Sequence, residues 1–194
     1  MKHIENYFSN VIQSVNNLDK KKILKIVELL KNLRSKSGRL FLIGVGGSAG
    51  NASHAVNDFR KLCNIDAYTP VDNISEITAK TNDEGFDTIF DSYLKLCKIN
   101  RKDILMVFSV GGGSQKKNVS VNLIKAIKYA KIKKTKIISV VGKTDGYAYK
   151  NSDISLSINM KNKKLITPIS ETFQVLIWHL LVSHPVLQFN DTKW

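Results

Sequence analysis

The chain has 194 residues, 43% of them hydrophobic, and carries a formal net charge of +14. This is enough apolar surface for one domain with a single core, and no stretch is expected to be a bilayer span or a secretory signal. The positive charge is nearly all lysine, whereas specific nucleic-acid recognition favours arginine, so we expect no specific nucleic-acid partner, no membrane partner, and a field that attracts a small anionic substrate.

Residues 1–37 are predicted to form a pair of amphipathic helices. Apolar residues recur at helical spacing over residues 4–17. Asp19 is expected to cap a second helix, which stops at Gly38. We expect this pair to pack on the rest of the chain or on another subunit.

Residues 38–194 are predicted to form an α/β body, which completes a single domain over residues 1–194. The predicted strands are "RLFLIG", "DILMVFSV", "TKIISVVG" and "DISLSI", and "DAYTPV" is predicted as a short extended segment. The predicted helices are "NASHAVNDFRKLC", "NISEITAKT", "DTIFDSYLKLC", "KKNVSVNLIKAIKYAKIKK" and "PISETFQVLIWHLLVSH", with a basic loop over 159–164 before the last one. Apolar strands without alternation are typical of a parallel sheet covered on both faces. The fold class is therefore a doubly wound α/β domain.

The two cysteines, Cys63 and Cys97, lie far apart in the sequence. Their spacing is not that of a metal site. We therefore expect a protein of the reduced cytoplasm.

Two predicted strands end in glycine and serine and lead into helices. The first tip is "GVGGSAG" at 44–50, and the second is "SVGGGSQ" at 109–115. Glycines let a ligand approach the backbone, and free N–H groups at a helix start favour an anion. Ser48, Ser109 and Ser114 add hydroxyl donors. The alternative is that each cluster is only a tight turn.

Known phosphate-binding motifs fit these tips poorly. The first tip matches the dinucleotide pattern GxGxxG only if Ala49 takes the last place, and the chain has no GxxxxGK[ST] segment. Two separate glycine- and serine-bearing tips suit a small sugar phosphate better than a dinucleotide.

The order of these segments resembles the sugar isomerase (SIS) domain family. The resemblance rests on "GVGGS" with a following histidine, "TNDEGFDTIF", "FSVGGGS" and a late helix with histidine, and within the family it is strongest to the phosphoheptose isomerases. It implies a five-stranded parallel sheet, a homotetramer with shared active sites, and ketose–aldose isomerisation of a phosphosugar. Such a reaction proceeds through an enediol and needs an acid/base pair but no redox cofactor.

The resemblance also implies site residues. Asp58 stands where the family carries a catalytic glutamate, and His179 matches its late-helix catalytic histidine, with His184 as a nearby competitor. His54 matches a further family histidine. Glu171 is expected either to orient His179 or contact substrate, or to complement a helix N-terminus.

A further acidic residue, Asp83 in "TNDEGF", matches a family position near the substrate. It could equally be a turn or helix-cap residue before "DTIF".

Several positions depart from the family pattern. Val45 replaces the usual asparagine, and the second tip loses hydroxyls. We therefore expect the phosphate to bind backbone groups and hydroxyls of both tips, with Lys116 or Lys117 nearby. The residues expected to bind it are Gly46, Gly47, Ser48, Ser109, Gly111, Gly112, Gly113 and Ser114.

Four of the candidate residues could also hold zinc. His54, Asp58, Glu171 and His179 offer nitrogen and carboxylate ligands of the kind that zinc prefers. The resemblance allows this metal, and the linear spacing does not demand it.

Three functions remain open at this point. The leading one is a cytoplasmic isomerase that acts on sedoheptulose 7-phosphate or a similar ketose phosphate and feeds heptose synthesis for a surface glycan. The second is a phosphosugar-binding regulator without turnover. The third is a scaffold that contacts DNA-bound partners, which a cluster of lysines on one face would favour.

Overall fold

The computed structural model describes residues 1–160 and 162–192. Its helices are α1 (Lys2–Asn16), α2 (Lys20–Ser35), α3 (Gly47–Cys63), α4 (Ile74–Glu84), α5 (Ile89–Leu96), α6 (Val121–Ile132), α7 (Tyr147–Asn151) and α8 (Ile166–Val182). Its strands are β1 (Leu40–Ile43), β2 (Ala67–Tyr68), β3 (Ile104–Ser109), β4 (Lys136–Val141) and β5 (Ile154–Ser157). Lys161, within the predicted basic loop, lies outside the described residues.

The strands form one parallel sheet in the order β2-β1-β3-β4-β5, which confirms the predicted fold class. Leu40 of β1 is in register with Ala67 of β2 on one side and with Ile104 of β3 on the other. The strand order therefore reverses between β1 and β3. In open α/β sheets, the crevice beyond the carboxyl ends of the strands at such a reversal is where ligands bind.

Both faces of the sheet are buried, as the lack of alternation predicted. Leu40 and Leu42 belong to an apolar cluster shared with α2, α3 and α8. Phe41 and Ile43 belong to a second cluster, shared with α5 and α6. Successive side chains of a strand point to opposite faces, and here each face meets apolar helix surface.

The N-terminal helices are formed as predicted, and they differ in how much apolar surface they bury. Asp19 caps α2 by accepting a hydrogen bond of 3.0 Å from the Lys22 N–H, and α2 buries its apolar face in the core. In contrast, α1 leaves Ile4, Phe8 and Ile12 more than half exposed. One chain therefore leaves an apolar face of α1 uncovered.

Helix α8 corrects the expectation that no stretch of the chain has the length and composition of a bilayer span. The segment Lys163–Val182 is, by length and composition alone, long and apolar enough to cross a membrane. Half of it is buried inside the protein, and Phe173, Ile177 and Trp178 are fully buried. Because these side chains pack in the apolar cluster behind β1 and β3, we interpret α8 as the core helix of the fold.

The connection from β3 to α6 also differs from the sequence prediction. A helix was expected over 116–134, but α6 begins only at Val121. Before it, Ser114 and Val119 pair as an antiparallel bridge, and Asn118 and Ser120 adopt left-handed backbone angles. The physical reason is that the polar run at 115–118 has no apolar side chain to bury, so a helix there would gain little from packing.

Candidate active site

Helices α3 and α8 bring together three side chains that can transfer protons. His54 and Asp58 lie one turn apart on α3, and their Nε2 and Oδ2 atoms are 3.5 Å apart. His179, on α8, places its Nε2 atom 3.4 Å from the same Asp58 oxygen. Asp58 and His179, which the resemblance implies as the catalytic residues, are thus in contact within one chain. The two groups lie side by side and in direct contact, rather than on opposite sides of a gap that could hold a carbon chain.

Asp58 is nearly buried, and its orientation is set by hydrogen bonds. The indole Nε1–H of Trp178 donates to Oδ2 over 3.0 Å, and the Asn57 amide donates to Oδ1 over 3.1 Å. The side chains of His54 and His179 remain about half exposed above the carboxylate. The arrangement places two partly solvent-exposed imidazole rings next to a carboxylate whose orientation is fixed.

Sequence reasoning missed Trp178. Its ring is fully buried and lies 5.3 Å from the ring of His54 and 5.1 Å from that of His179. A buried tryptophan usually needs an acceptor for its N–H. That rule could have indicated a nearby carboxylate, although it could not have identified Asp58.

Among the described residues, His54, Asp58 and His179 form a group that could hold a metal ion. Their ligand atoms all lie within 4.8 Å of one another. Two imidazole nitrogens and one carboxylate oxygen are a donor set that zinc accepts. These three residues therefore fit the metal that the resemblance allows.

Glu171, the fourth candidate zinc ligand, lies outside that group. The carboxyl group of Glu171 packs against Gly47. A β-carbon added at Gly47 would lie only 2.6 Å from Glu171 Oε2. Gly47 is the first residue of α3. Glu171, five residues into α8, therefore lies against the N-terminus of α3 rather than at the N-terminus of its own helix.

The first glycine tip is open backbone. Gly46 has a φ of +63°, a region that favours glycine, and no atom lies within 4 Å of the position of an added β-carbon. Ser48 is different, since it is buried and its hydroxyl accepts a hydrogen bond of 3.0 Å from the Gln174 amide. Gln174, also missed by the sequence analysis, accepts in turn from Asn51 over 2.8 Å. This buried network joins α3 to α8.

In the second glycine tip, backbone amides already donate hydrogen bonds to nearby groups of the protein. The Gly112 N–H donates to Ser109 Oγ over 2.9 Å, and Gly112 and Gly113 are buried. The Ser114 N–H donates to the Val119 carbonyl over 2.9 Å. The Gly112 and Ser114 amides are thus already used, so they are not free to cradle a phosphate. Gly111 is the open position of this tip, with nothing within 4 Å of an added β-carbon.

A cavity of about 410 Å³ lies at the reversal of strand order, between the end of β1 and the start of α6. Its lining residues come from both sides of the crevice: Val45, Phe86, Asp87, Asn118, Ser120, Val121 and Asn122. At its edge, the Lys125 ammonium donates a hydrogen bond to Asp87 and lowers the pKa of that carboxyl. We refer to this cavity as the β1/β3 crevice.

Two further sequence candidates lie apart from these groups. Asp83 is exposed in the last turn of α4, where it accepts a hydrogen bond of 2.8 Å from Asn82. His184 follows the end of α8, and its Nδ1 accepts from the Val186 N–H over 3.2 Å. His179, rather than His184, is therefore the late histidine next to Asp58.

Comparison with known proteins gives this geometry a context. The chain is 31% identical over 164 residues to the lincomycin biosynthesis protein LmbN of Streptomyces lincolnensis, which covers 81% of this chain and 59% of that protein. It is 27% identical over 183 residues to phosphoheptose isomerase 1 of Campylobacter jejuni, which covers 90% of this chain and 88% of that one.

A solved structure shows the same fold. Phosphoheptose isomerase GmhA from Neisseria gonorrhoeae superposes with a TM-score of 0.79 at 22% identity, over 93% of this chain and 96% of that chain. Residues 5–142 match the family model described as the SIS domain. The chain therefore belongs to the SIS domain family.

Proposed function

We propose that this protein is a phosphosugar isomerase that converts sedoheptulose 7-phosphate to an aldose heptose 7-phosphate. The observation that carries the proposal is the contact of Asp58 with both His54 and His179. The similarity to proteins named phosphoheptose isomerase supports the choice of substrate.

The acid/base pair in this proposal is Asp58 and His179. A base removes the proton from the hydroxymethyl carbon next to the ketone, and that electron pair forms the double bond of an enediol. The ketone oxygen takes a proton from the acid. The base then returns its proton to the former ketone carbon, while the hydroxyl of the first carbon gives its proton back to the acid group and becomes the new carbonyl. His179, which is half exposed, is the group that meets the carbon chain. Asp58, in contact with it, orients the imidazole and exchanges the proton.

The phosphate binds in the β1/β3 crevice in this proposal, rather than at Gly112. Ser120 and Asn122 stand at the first turn of α6, where backbone N–H groups and the helix dipole favour an anion. Lys125 lies one turn further on and can exchange its Asp87 partner for the phosphate. Gly46 and Gly111 leave open backbone at the two glycine tips.

Shared active sites follow from the distance between the two parts of the site. His54 lies seven residues into α3 from Gly47, which corresponds to about 10 Å along the helix axis, and Asp58 lies about 16 Å along it. A phosphosugar anchored in the β1/β3 crevice of one chain is therefore poorly placed for the cluster of that same chain. We propose that a homo-oligomer, a tetramer by family resemblance, brings the crevice of one subunit to the cluster of another.

Zinc fits this site as an addition to the acid/base pair. His54, Asp58 and His179 would hold it, with the carboxyl group of Glu171 remaining against Gly47 at the start of α3. When bound, zinc supplies a Lewis acid that polarises a substrate oxygen.

The cellular setting is part of the same proposal. Both cysteines are free, and burial raises the pKa of the Cys63 thiol to about 12. Reduced, unreactive thiols are consistent with a cytoplasmic protein. The heptose phosphate that it produces would feed the synthesis of a surface glycan.

The experiment that tests the proposal is direct. The purified protein is incubated with sedoheptulose 7-phosphate, and the products are followed by NMR. Appearance of an aldose heptose phosphate supports the isomerase. Binding of the sugar phosphate without any product would instead favour a phosphosugar-binding regulator.

A further inference from the structure

The edge of the sheet at which the strands begin carries an excess of positive charge. Because the sheet is parallel, the segments that lead into β1, β3, β4 and β5 lie side by side at this edge. They carry nine exposed basic residues: Lys36, Lys98, Arg101, Lys102, Lys131, Lys133, Lys134, Lys136 and Lys150. We refer to this set of residues as the basic edge.

Two adjoining cavities show that the basic edge is one continuous surface. The first, of about 430 Å³, has four of these residues in its lining: Lys36, Arg101, Lys102 and Lys136. The second, of about 370 Å³, also has four in its lining: Lys131, Lys134, Lys136 and Lys150. Lys136 lines both cavities. Basic side chains from the starts of four strands therefore surround the same pair of cavities.

The acidic residues at this edge leave most of the positive charge unbalanced. Asp103 is buried and pairs with Arg39, which is not part of the basic edge, over 2.7 Å. Asp153 pairs with Lys136 over 2.6 Å. The other eight members of the basic edge form no ion pair with any residue of 1–160 or 162–192. Charges of one sign gathered on one surface create a potential that attracts an anionic partner.

Stabilisation of helix ends explains only part of this charge. Cations in the last turn of a helix offset the negative end of its dipole, and Lys131 of α6 and Lys150 of α7 have that position. Arg101 and Lys102 instead lie in the turn before β3, beyond the end of α5 at Leu96. The effect of the dipole is confined to the last turn of a helix. The charge in the turn before β3 therefore has another role.

Two exposed aliphatic side chains stand among these charges. Leu96 is the last residue of α5 and Ile132 is the last residue of α6, and they are 66% and 74% exposed. Lys98 follows the first closely, and Lys133 follows the second directly. Aliphatic side chains between lysines suit the surface of a bilayer, where the cations meet anionic headgroups and the apolar groups enter the acyl boundary.

The composition of the basic edge suits nucleic acid less well. A cluster of lysines on one face would favour a scaffold for DNA-bound partners, and such a cluster is present. However, Arg101 is its single arginine, and specific contacts with bases and phosphates favour arginine. Binding of single strands uses aromatic rings on which bases stack, whereas the exposed apolar side chains here are the aliphatic Leu96 and Ile132.

We propose that the basic edge attaches the protein to a membrane surface rich in anionic lipid. The attachment is peripheral and uses no membrane span. It differs from the sequence-based expectation of no membrane partner, because the fold gathers at one edge of the sheet basic residues that are far apart in the sequence. The proposal does not depend on the isomerase activity.

Cosedimentation of the full chain with vesicles, at physiological ionic strength, tests this proposal. The vesicles contain phosphatidylcholine alone, or equal parts of phosphatidylcholine and phosphatidylglycerol. We expect at least about tenfold tighter binding to the anionic vesicles, and weaker binding as the salt concentration rises. Failure to bind the anionic vesicles, or equal binding to both kinds, overturns the proposal. Tighter binding to double-stranded DNA than to anionic vesicles, at equal phosphate concentration, also overturns it and assigns the surface to nucleic acid.

A matched pair of charge variants locates the contact. Arg101→Ala/Lys102→Ala removes two charges of the basic edge and is expected to weaken binding to anionic vesicles by at least about tenfold. Lys20→Ala/Lys21→Ala removes the same charge from the exposed start of α2, and we expect an affinity within about twofold of the wild type. An equal loss in both variants would mean that the net charge of the chain causes the binding, and would overturn the assignment to the basic edge.

A second matched pair tests the aliphatic contact, which separates a bilayer from other polyanions. Ile132→Ser is expected to weaken binding to anionic vesicles by about fivefold, because one apolar side chain no longer enters the bilayer. Ile74, 70% exposed against 74% for Ile132, begins α4 beyond the end of β2, at the opposite edge of the sheet. Ile74→Ser is therefore expected to leave the affinity unchanged. Unchanged binding of Ile132→Ser would mean that charge alone holds the protein, and would overturn the assignment to a membrane.

Discussion

At Asp58, the buried carboxylate accepts hydrogen bonds on one side and faces two imidazoles on the other. Its Oδ2 atom accepts from the Trp178 indole over 3.0 Å and lies within 3.5 Å of both histidine Nε2 atoms. The carboxylate at the end of this short side chain is therefore already surrounded by the indole and the two imidazoles. Trp178 is the residue that fixes this geometry, and so it is a positioning residue.

Replacement of Trp178 by phenylalanine removes the indole N–H and keeps a large ring. We expect the kcat for sedoheptulose 7-phosphate to fall by about tenfold, because the carboxylate loses the donor that orients it. The KM is expected to stay within about twofold, since no phosphate contact changes.

The control for this variant is Phe108→Leu. The ring of Phe108 stacks on that of Trp178, with 6.0 Å between the ring centroids. Phe108 has no side-chain hydrogen-bond donor, so, unlike Trp178, it cannot orient Asp58 by a hydrogen bond. We expect it to lower the melting temperature by loss of packing and to leave kcat unchanged. An equal loss of kcat in both variants would show that Trp178 acts only through packing.

Lengthening the carboxylate is the second test at this scale. In Asp58→Glu, one added methylene must fit between the Trp178 indole and two imidazoles that already surround Oδ2. We expect turnover and the melting temperature both to fall, because an overpacked site forces strain. A rise in turnover would show that the retracted carboxylate is suboptimal and that the pocket has room for glutamate.

The sequence predicted Asp58 and His179 through their family resemblance, and it could not predict their immediate contact. That contact depends on how α3 and α8 pack, which is a matter of tertiary structure. Trp178 was invisible for the same reason: an aromatic residue on an apolar helix is normally part of the core. Gln174 was missed likewise, since its partners Ser48 and Asn51 lie more than 120 residues away.

The connection between β3 and α6 is the element in which this chain departs most from the sequence prediction. Its residues were read as the first turns of a helix, but they form a short bridged loop that delays α6 until Val121. The strands and the other long helices were predicted well because their apolar residues have partners on the sheet. The polar loop at 115–118 has none, so hydrophobic periodicity could not place it.

This element provides the third prediction. In Ser120→Asp, a carboxylate enters the β1/β3 crevice at the start of α6, and aspartate tolerates the left-handed backbone found there. We expect the KM for sedoheptulose 7-phosphate to rise at least about tenfold by charge repulsion. Steady-state kinetics give this value.

Gln115→Asp is the matched control, because it adds the same charge to an exposed residue of the same loop that does not line the crevice. Its KM is expected to stay within about twofold. If Ser120→Asp binds substrate as well as the control does, the phosphate is held elsewhere.

At the scale of the whole molecule, charge and apolar surface point to different partners. The net charge of +14 suits an anionic substrate, whereas the uncovered face of α1 suits another protein surface. Ile4, Phe8 and Ile12 are 53%, 59% and 61% exposed and lie along one side of that helix. A second copy of the chain is the occupant that the proposed shared active sites require.

We therefore expect light scattering at micromolar concentration to give a multiple of the 21.8 kDa chain mass, a tetramer by the family resemblance. The variant Phe8→Asp/Ile12→Asp is expected to lower that mass, because buried carboxylates at an interface lack partners. Lys20→Ala/Lys21→Ala, on the exposed start of α2, serves as the control and is expected to keep it. A monomer mass for the wild-type chain would contradict both the interface and the shared sites.

The most direct test of the central claim is the kcat for sedoheptulose 7-phosphate in deuterated water, measured by NMR for the wild type, Asp58→Asn and His179→Gln. The wild type is predicted to form an aldose heptose phosphate with solvent deuterium at the carbon next to the new carbonyl, as an enediol requires. Each variant is predicted to lose about 10²–10⁴-fold in kcat, the usual contribution of an acid/base group, while its affinity for the sugar phosphate stays nearly unchanged. Wild-type turnover in both variants would contradict the assignment of Asp58 and His179 as the acid/base pair.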